Sequence, residues 1–191
     1  MPDAFTIRPY RPQDQPAVVD LFVRVNQSLT PPNMETAFTE YVAKSIAAEI
    51  GRIGQYYDAA RGRGFWVATD GTWLLGHFGL EPADDDALEV RRMYVDFPYR
   101  GKGIARAMLK HAEDWARARG FGKIVLSTSS LQLPALALYQ SAGYTLLRQE
   151  IATAASHKTV GNGILRFHLE KPLKPKNQAP EGRQFRPVHG N

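Results

Sequence analysis

Apolar positions recur along this chain with two periods, and those periods divide it into strands and helices. Ala4 to Pro9 reads as a first strand with Phe5 and Ile7 on one face. Asp14 stands where a helix N-cap belongs, ahead of Val18, Leu21, Phe22 and Val25 at helical spacing, and Pro31-Pro32-Asn33 ends that helix. From Met34 to Arg61, Phe38, Val42, Ile46, Ile50, Ile53 and Tyr57 keep a three-to-four residue period, which predicts one long amphipathic segment kinked at Gly51 or Gly54. Phe65-Trp66-Val67-Ala68 and Trp73 to Phe78 flank Asp70-Gly71, a hairpin signal. A polar stretch, Glu81 to Asp86, leads to a strand from Leu88 to Val95. A glycine-bearing loop, a helix from Gly103 to Arg119, a strand from Lys123 to Thr128 and a helix from Pro134 to Ala142 follow. Strands at Tyr144–Arg148 and Ile164–Leu169 complete the pattern. This order predicts a mixed α/β domain, one sheet with helices on both faces.

Within the Leu88–Val95 strand the alternation fails once. Strict period two sets Leu88 and Val90 opposite Met93 and Val95; one extra residue between the pairs restores a single apolar face. A β-bulge supplies that residue and leaves backbone amides unpaired.

Composition narrows the classes. The chain has 191 residues, enough for one domain with a full core, and is 43% hydrophobic and 23% charged, as ordinary globular proteins are. It contains no cysteine, which removes disulfides, thiolate metal sites and a thiol nucleophile, and which agrees with a cytoplasmic location. No apolar run approaches the roughly 18 residues of a membrane span, and the start Met1-Pro2-Asp3-Ala4-Phe5 does not read as a signal peptide. The net charge is +5, but Lys171, Lys174, Lys176, Arg183 and Arg186 face Glu181 alone in the last stretch, so the body is almost neutral. That argues against a nucleic-acid groove. We therefore expect a domain over residues 1–170 and a basic, proline-rich tail over 171–191. The scattered histidines offer no metal site, Asp84–Asp86 reads as a solvated turn, and no Gly-x-Ser-x-Gly elbow surrounds Ser127–Ser130.

The candidate chemistry lies where the Leu88–Val95 strand passes through Asp96-Phe97-Pro98-Tyr99 to Arg100-Gly101-Lys102-Gly103-Ile104-Ala105. Glycines at 101 and 103 allow a sharp bend and close approach of a ligand. The first amides of the following helix lack internal partners and carry its positive end, so they suit a pyrophosphate, with Arg100 and Lys102 adding charge. A Walker loop needs Ser or Thr after Lys102, and the dinucleotide pattern needs Gly or Ala where Arg106 stands; neither fits.

The run Arg100, Gly103, Ala105 resembles the acetyl-CoA signature of GNAT-superfamily N-acetyltransferases, Gln/Arg-x-x-Gly-x-Gly/Ala. The resemblance extends to Met93-Tyr94-Val95, to Leu126–Gln132, and to Ala135–Tyr144 with its Leu-Tyr-x-x-x-Gly-Tyr ending. Together with Phe65–Ala68 and Ile7–Tyr10 it is most similar to camello-type members, over roughly residues 5–170. The resemblance implies the acyl-CoA N-acyltransferase fold, a central mixed, largely antiparallel sheet with helices on both faces. It implies acetyl-CoA as co-substrate and no metal. The cofactor would lie against Met93, Tyr94, Val95, Arg100, Gly101, Lys102, Gly103, Ile104, Ala105 and Gln132. It also implies Tyr139 as general acid and Glu89 as a water-linked base. Read from the residues alone, Tyr139 is equally a packed core tyrosine, and Glu89 a solvated strand carboxylate paired with a residue such as Arg91. Camello-type proteins usually carry a membrane-embedding hairpin after the first helix; Ser28–Phe38 here is short and polar, so a soluble relative is expected.

Freeing the lone pair of an alkylamine of pKa about 10.4 at pH 7 costs roughly 4 kcal/mol, so a base is useful, and the departing thiolate benefits from a proton. The expected reaction is direct acetyl transfer to a primary amine of a small molecule, with an amino-acid-like acceptor favoured by the resemblance. A protein-directed enzyme and a non-catalytic acyl-CoA sensor are the alternatives. Homodimerisation is common in the superfamily and is not readable from these residues.

Overall fold

The computed structural model describes residues 5–173. Strand β1 (Thr6–Pro9) leads through a single 3-10 turn to helix α1 (Gln15–Leu29). Asp14 marks this boundary but does not cap α1. Its carboxylate takes the Arg8 guanidinium at 2.7 and 2.8 Å and the Arg11 N–H at 2.8 Å, closing the turn before the helix. Val18, Leu21, Phe22 and Val25 are buried, as their spacing predicts. Pro31 and Pro32 prevent continuation, and Asn33 adopts φ 67°.

The stretch from Met34 to Arg61 is not one kinked helix. It consists of α2 (Glu35–Ala48), a 3-10 turn at Ile50–Arg52, the single turn α3 (Ile53–Tyr56) and a further 3-10 turn at Ala59–Arg61. The buried face of α2 is Phe38, Tyr41 and Ser45 rather than the Val42–Ile46 stripe. Two features account for this. Glu49, at the helix end, is fully buried and drawn inward by two arginines. Gly51 packs so tightly that a Cβ there would sit 2.7 Å from the Ile46 carbonyl oxygen.

The remaining elements are β2 (Gly64–Thr69), β3 (Leu74–Pro82), β4 (Ala87–Val95), α4 (Ile104–Ala118), β5 (Lys123–Ser129), α5 (Leu133–Ser141), β6 (Thr145–Ala152) and β7 (Ile164–Pro172). The β2–β3 hairpin turns where Asp70-Gly71 predicts; the Asp70 carboxylate accepts the N–H groups of Thr72 and Trp73 at 2.9 and 2.7 Å. Seven strands form one sheet in the order β1-β2-β3-β4-β5-β7-β6, antiparallel except at β4–β5. One face packs on α4 and α5 through Phe78, Leu88, Val90, Met108, Ile124 and Leu169. The other packs on α1 and α2 through Val18, Phe22, Phe38, Ile50, Phe65 and Val67. Strand β7 continues to Pro172 and Leu173 is buried in the core, so ordered chain passes the expected boundary at 170. The remainder of the expected tail, from residue 174, lies outside the described residues.

The bulge in β4 is present. Gly79 faces Arg91 while His77 faces Tyr94, so β4 has one residue more than β3 between these rungs, and Arg92 takes φ 52°. Leu88, Val90 and Val95 consequently enter one core, with Met93 packed against it.

Beside the bulge, His77 is fully buried, stacked on Phe65 at 5.3 Å, and neither ring nitrogen makes a hydrogen bond of acceptable geometry. Burial presses its pKa from 6.5 to about 3. Below pH 6.5 the unfolded chain therefore takes up a proton that the folded chain refuses, and stability falls as pH drops towards 3. Between pH 6.5 and 5 the loss is about 2 kcal/mol. His77→Phe, which keeps the stacking, is expected to flatten this slope in urea titrations run at a series of pH values; an unchanged slope would assign the proton elsewhere.

Candidate active site

The site begins with a failure of strand pairing. Parallel β4 and β5 pair from Ala87↔Lys123 to Val90↔Leu126 and no further. Beyond that point β4 stays on β3 through Val95, and β5 stays on β7 through Ser129. The two strands therefore diverge, and the bulge at Arg92 lies on the diverging stretch. A cavity of about 150 Å³ occupies the wedge. Backbone groups of β4 past Val90 face it without a partner strand on the β5 side, so they remain free to bind a ligand chain.

Of the residues expected from sequence, Glu89, Met93, Tyr94, Gln132 and Tyr139 line this cavity together. Val95 does not; its side chain is buried in the core, so only its backbone is available. The Arg100–Ala105 turn also lies outside the cavity lining, at the start of α4. Gly101 and Gly103 have φ 74° and 83°, and a Cβ at either would meet nothing within 4 Å, so the turn presents an open surface. The first main-chain bond of α4 runs from Ala107 N–H to the Gly103 carbonyl, leaving the amides of residues 104–106 free at the helix's positive end. The charges expected to assist are partly committed. Arg100 Nε donates to the Val95 carbonyl at 3.0 Å and its guanidinium covers Phe97 at 3.8 Å, while the Lys102 ammonium lies 5.3 Å from the Tyr99 ring centre. Ile104 is buried and anchors the helix, so its contribution to a ligand would be its N–H.

Tyr139 sits on α5 and is buried, and loss of solvation pushes its phenol up to about 12. The group is thus a protonated donor throughout the physiological range. Glu89 stands opposite Glu81 in the β3–β4 register, and Lys158, from the β6–β7 connection, spans both: its ammonium lies 3.7 Å from Glu89 and 3.0 Å from Glu81. Arg91, the salt-bridge partner that the sequence suggests for Glu89, pairs instead with Glu81 and Glu49. Across the wedge, Arg166 Nη2 donates to the Ser127 hydroxyl at 2.6 Å, and Thr128 Oγ1 lies 3.5 Å from Gln132 Oε1. The Asp84–Asp86 run serves its own turn, with Asp84 accepting the N–H groups of Asp86 and Ala87, and Asp86 that of Gly122.

Sequence reading misses the ionic network beneath the wedge. Glu49 receives Arg91 at 2.8 Å, Arg92 at 2.6 Å and the Tyr57 hydroxyl in a short bond. Arg92 also donates to the Tyr41 hydroxyl at 2.7 Å and to the His157 carbonyl. Burial by itself would raise the Glu49 pKa, but its two arginines and Tyr57 hold it below the ordinary carboxylate range. Glu81, with Arg91 and Lys158 beside it, falls to about 2 despite burial. Two adjacent arginines inside a strand whose other positions, apart from Glu89, carry no charge are the signal that points to such a network, since lone buried charges are expensive.

Residues 26–144 match the family described as Acetyltransferase (GNAT) family, more than half of the chain. The chain belongs to this family. It is 36% identical over 112 residues to N-acetyltransferase 8 of Homo sapiens, a match covering 56% of this chain and 49% of that protein. It is 31% identical over 137 residues to N-acetyltransferase family 8 member 2 of Rattus norvegicus, covering 69% and 60% respectively. The chain thus spans about half the length of the curated relatives it matches. A GNAT-family acetyltransferase from Staphylococcus aureus Mu50 superposes with a TM-score of 0.69 at 16% identity, covering 90% of this chain and 100% of that one, a likeness of fold. The mixed, largely antiparallel sheet with helices on both faces is the architecture expected of a GNAT member. Among the described residues no helix is long and apolar enough to cross a membrane.

Proposed function

We propose that this chain is an acetyl-CoA-dependent N-acetyltransferase that moves an acetyl group directly to the primary amine of a small, amino-acid-like acceptor. The observation that carries the reading is the β4–β5 wedge, which brings Glu89 and Tyr139 to one cavity beside unpaired β4 backbone. Main-chain groups of Met93–Val95 would hold the pantetheine arm, with Gln132 across the wedge. The free amides after Gly103 would hold the diphosphate, with Gly101 leaving room and Lys102 adding charge. Acetyl-CoA supplies a thioester already activated for attack.

The chain's own residues then divide the proton work. Glu89 accepts the acceptor's ammonium proton through a water, and Lys158, 3.7 Å away, fixes its position while leaving it reachable. Backbone N–H groups at the bulge stabilise the developing oxyanion. Tyr139 donates its phenolic proton to the departing sulfur, and its burial keeps that proton in place until then. Lys158 and Arg166, which also line the cavity, suit a carboxylate on the same small molecule that carries the amine.

The test is thiol release from acetyl-CoA across a panel of amines with and without a carboxylate, run beside a thermal shift. Acetyl-CoA at about 100 times its Kd should stabilise the fold by about 2.7 kcal/mol. Stabilisation without turnover on any amine would turn the reading towards a sensor, and turnover confined to peptides would move it to a protein-directed enzyme. Gly103→Trp, which fills the open turn, is expected to raise the Kd for acetyl-CoA by about tenfold or more, a loss of at least 1.4 kcal/mol. Unaltered affinity by calorimetry would place the diphosphate elsewhere.

A further inference from the structure

Among the described residues that line the cavity, Lys158 alone carries a primary amine; the other cations there, Arg91, Arg92 and Arg166, are guanidinium groups. Guanidinium groups keep their protons in proteins and make no nucleophile. An amine therefore stands inside a cavity whose proposed work is to acylate amines. Its backbone is fixed. Ser156 and Thr159 exchange main-chain bonds at 2.9 and 3.3 Å, closing a tight turn with Lys158 at its tip. The Lys158 N–H donates to the Ser156 hydroxyl at 3.0 Å, and the His157 carbonyl accepts from Arg92 and from the Ser45 hydroxyl. The side chain itself is 45% exposed, so it is not packed in place. Its two carboxylate partners release it on different terms. Glu81 also takes Arg91, the Tyr56 hydroxyl at 2.9 Å and Arg63 at 3.7 Å, so the ammonium can leave without stranding a buried charge. Glu89, 3.7 Å away, is the group assigned to take a proton from an incoming amine.

We infer that Lys158 is a self-acetylation site, and that its acetylation turns the chain away from carboxylate-bearing acceptors. The inference rests on the proposed reading of the wedge as an acetyl-transfer site. The Lys158 ammonium gives one proton to Glu89, and the freed lone pair forms a C–N bond to the acetyl carbonyl carbon. The C–S bond breaks with its electron pair going to sulfur. Tyr139 protonates that sulfur, and the second amine proton replaces the one Tyr139 gave. The products are a neutral amide on Lys158, a free thiol and one proton; no oxidant or reductant takes part. The amide has no charge to offer an acceptor's carboxylate. Arg166 is then the remaining candidate, and it is already engaged with Ser127 at 2.6 Å and Glu150 at 3.4 Å. A bound acceptor occupies the same space and shields Lys158, so the modification accumulates when acetyl-CoA is present and acceptor is scarce.

The test is to incubate the full chain with acetyl-CoA and no amine, follow its intact mass and map the acetylated peptides. Lys158 is expected to gain an acetyl group ahead of Lys110, whose side chain is 75% exposed and would lead in uncatalysed acetylation. Tyr139→Phe should slow the gain at Lys158 by about a hundredfold, Gly103→Trp should slow it through weaker binding, and neither should alter Lys110. Lys158→Arg should remove the adduct, and an amine that turns over should protect Lys158. The acetylated chain should lose about tenfold in kcat/KM on carboxylate-bearing amines, the worth of one charged hydrogen bond. Acetylation of Lys158 no faster than that of Lys110, or untouched by both variants, would be chemical labelling and would overturn the inference. Turnover of free amines with Lys158 unmodified would overturn it alone and leave the proposed reaction standing, whereas failure to bind acetyl-CoA would overturn both.

Discussion

Tyr139→Phe is expected to lower kcat for acetyl transfer by about two orders of magnitude or more while leaving the Kd for acetyl-CoA within about twofold. A positioned general acid contributes typically 10²–10⁴-fold, and the substitution removes one oxygen without altering the ring that packs near Tyr144 at 6.0 Å. The ring is buried against the core cluster, and burial is the only cause that raises its phenol to about 12. Loss of the hydroxyl therefore strands no strong partner, and the fold should tolerate it. Single-turnover thiol release, paired with calorimetric titration of acetyl-CoA, separates chemistry from binding. Wild-type kcat in the variant would return Tyr139 to a packing role.

Glu49→Ala is expected to cost about 3–5 kcal/mol of stability, because it leaves two buried guanidinium groups without their shared carboxylate. For a chain of this size that corresponds to a fall in Tm of roughly 6–20 °C. The sign of the pH dependence follows from the same geometry. Glu49 is held below its ordinary value in the folded chain, so its contribution is fully present above about pH 4.5 and disappears as pH falls through the lowered pKa. Glu81, at about 2, adds to the same window. Wild-type protein should thus lose stability steeply from pH 4.5 towards 2, and the variant less steeply, in urea unfolding monitored by fluorescence. A loss under 1 kcal/mol at pH 7 would mean that the arginines find other partners.

The network also bears on the proposed site. Arg92 is at the bulge with a positive φ, a conformation that costs a non-glycine residue of order 1–3 kcal/mol unless its surroundings hold it. Glu49, Tyr41 and the His157 carbonyl all grip its guanidinium. They fasten the wedge from below, and the β6–β7 connection that carries His157 also carries Lys158 to Glu89.

Much of this was legible in the chain itself. The hairpin at Asp70, the end of α1 before Pro31, the extra residue in β4 and the open glycine turn before Ile104 all follow from local rules. Backbone freedom, turn chemistry and apolar alternation act over a few neighbours, so a sequence states them directly. The face of α2, the partner of Glu89 and the buried Glu49–Arg91–Arg92 cluster did not follow. Their outcome depends on which charges meet across distant stretches of chain, 42 and 43 positions for Glu49 with its two arginines. A helical period cannot say that a glutamate will outrank a valine for the interior, because desolvation is repaid only by partners that tertiary packing brings within reach. The sequence determined where the chain bends and which strand opens; the fold alone decided which charges would be sealed beneath that opening.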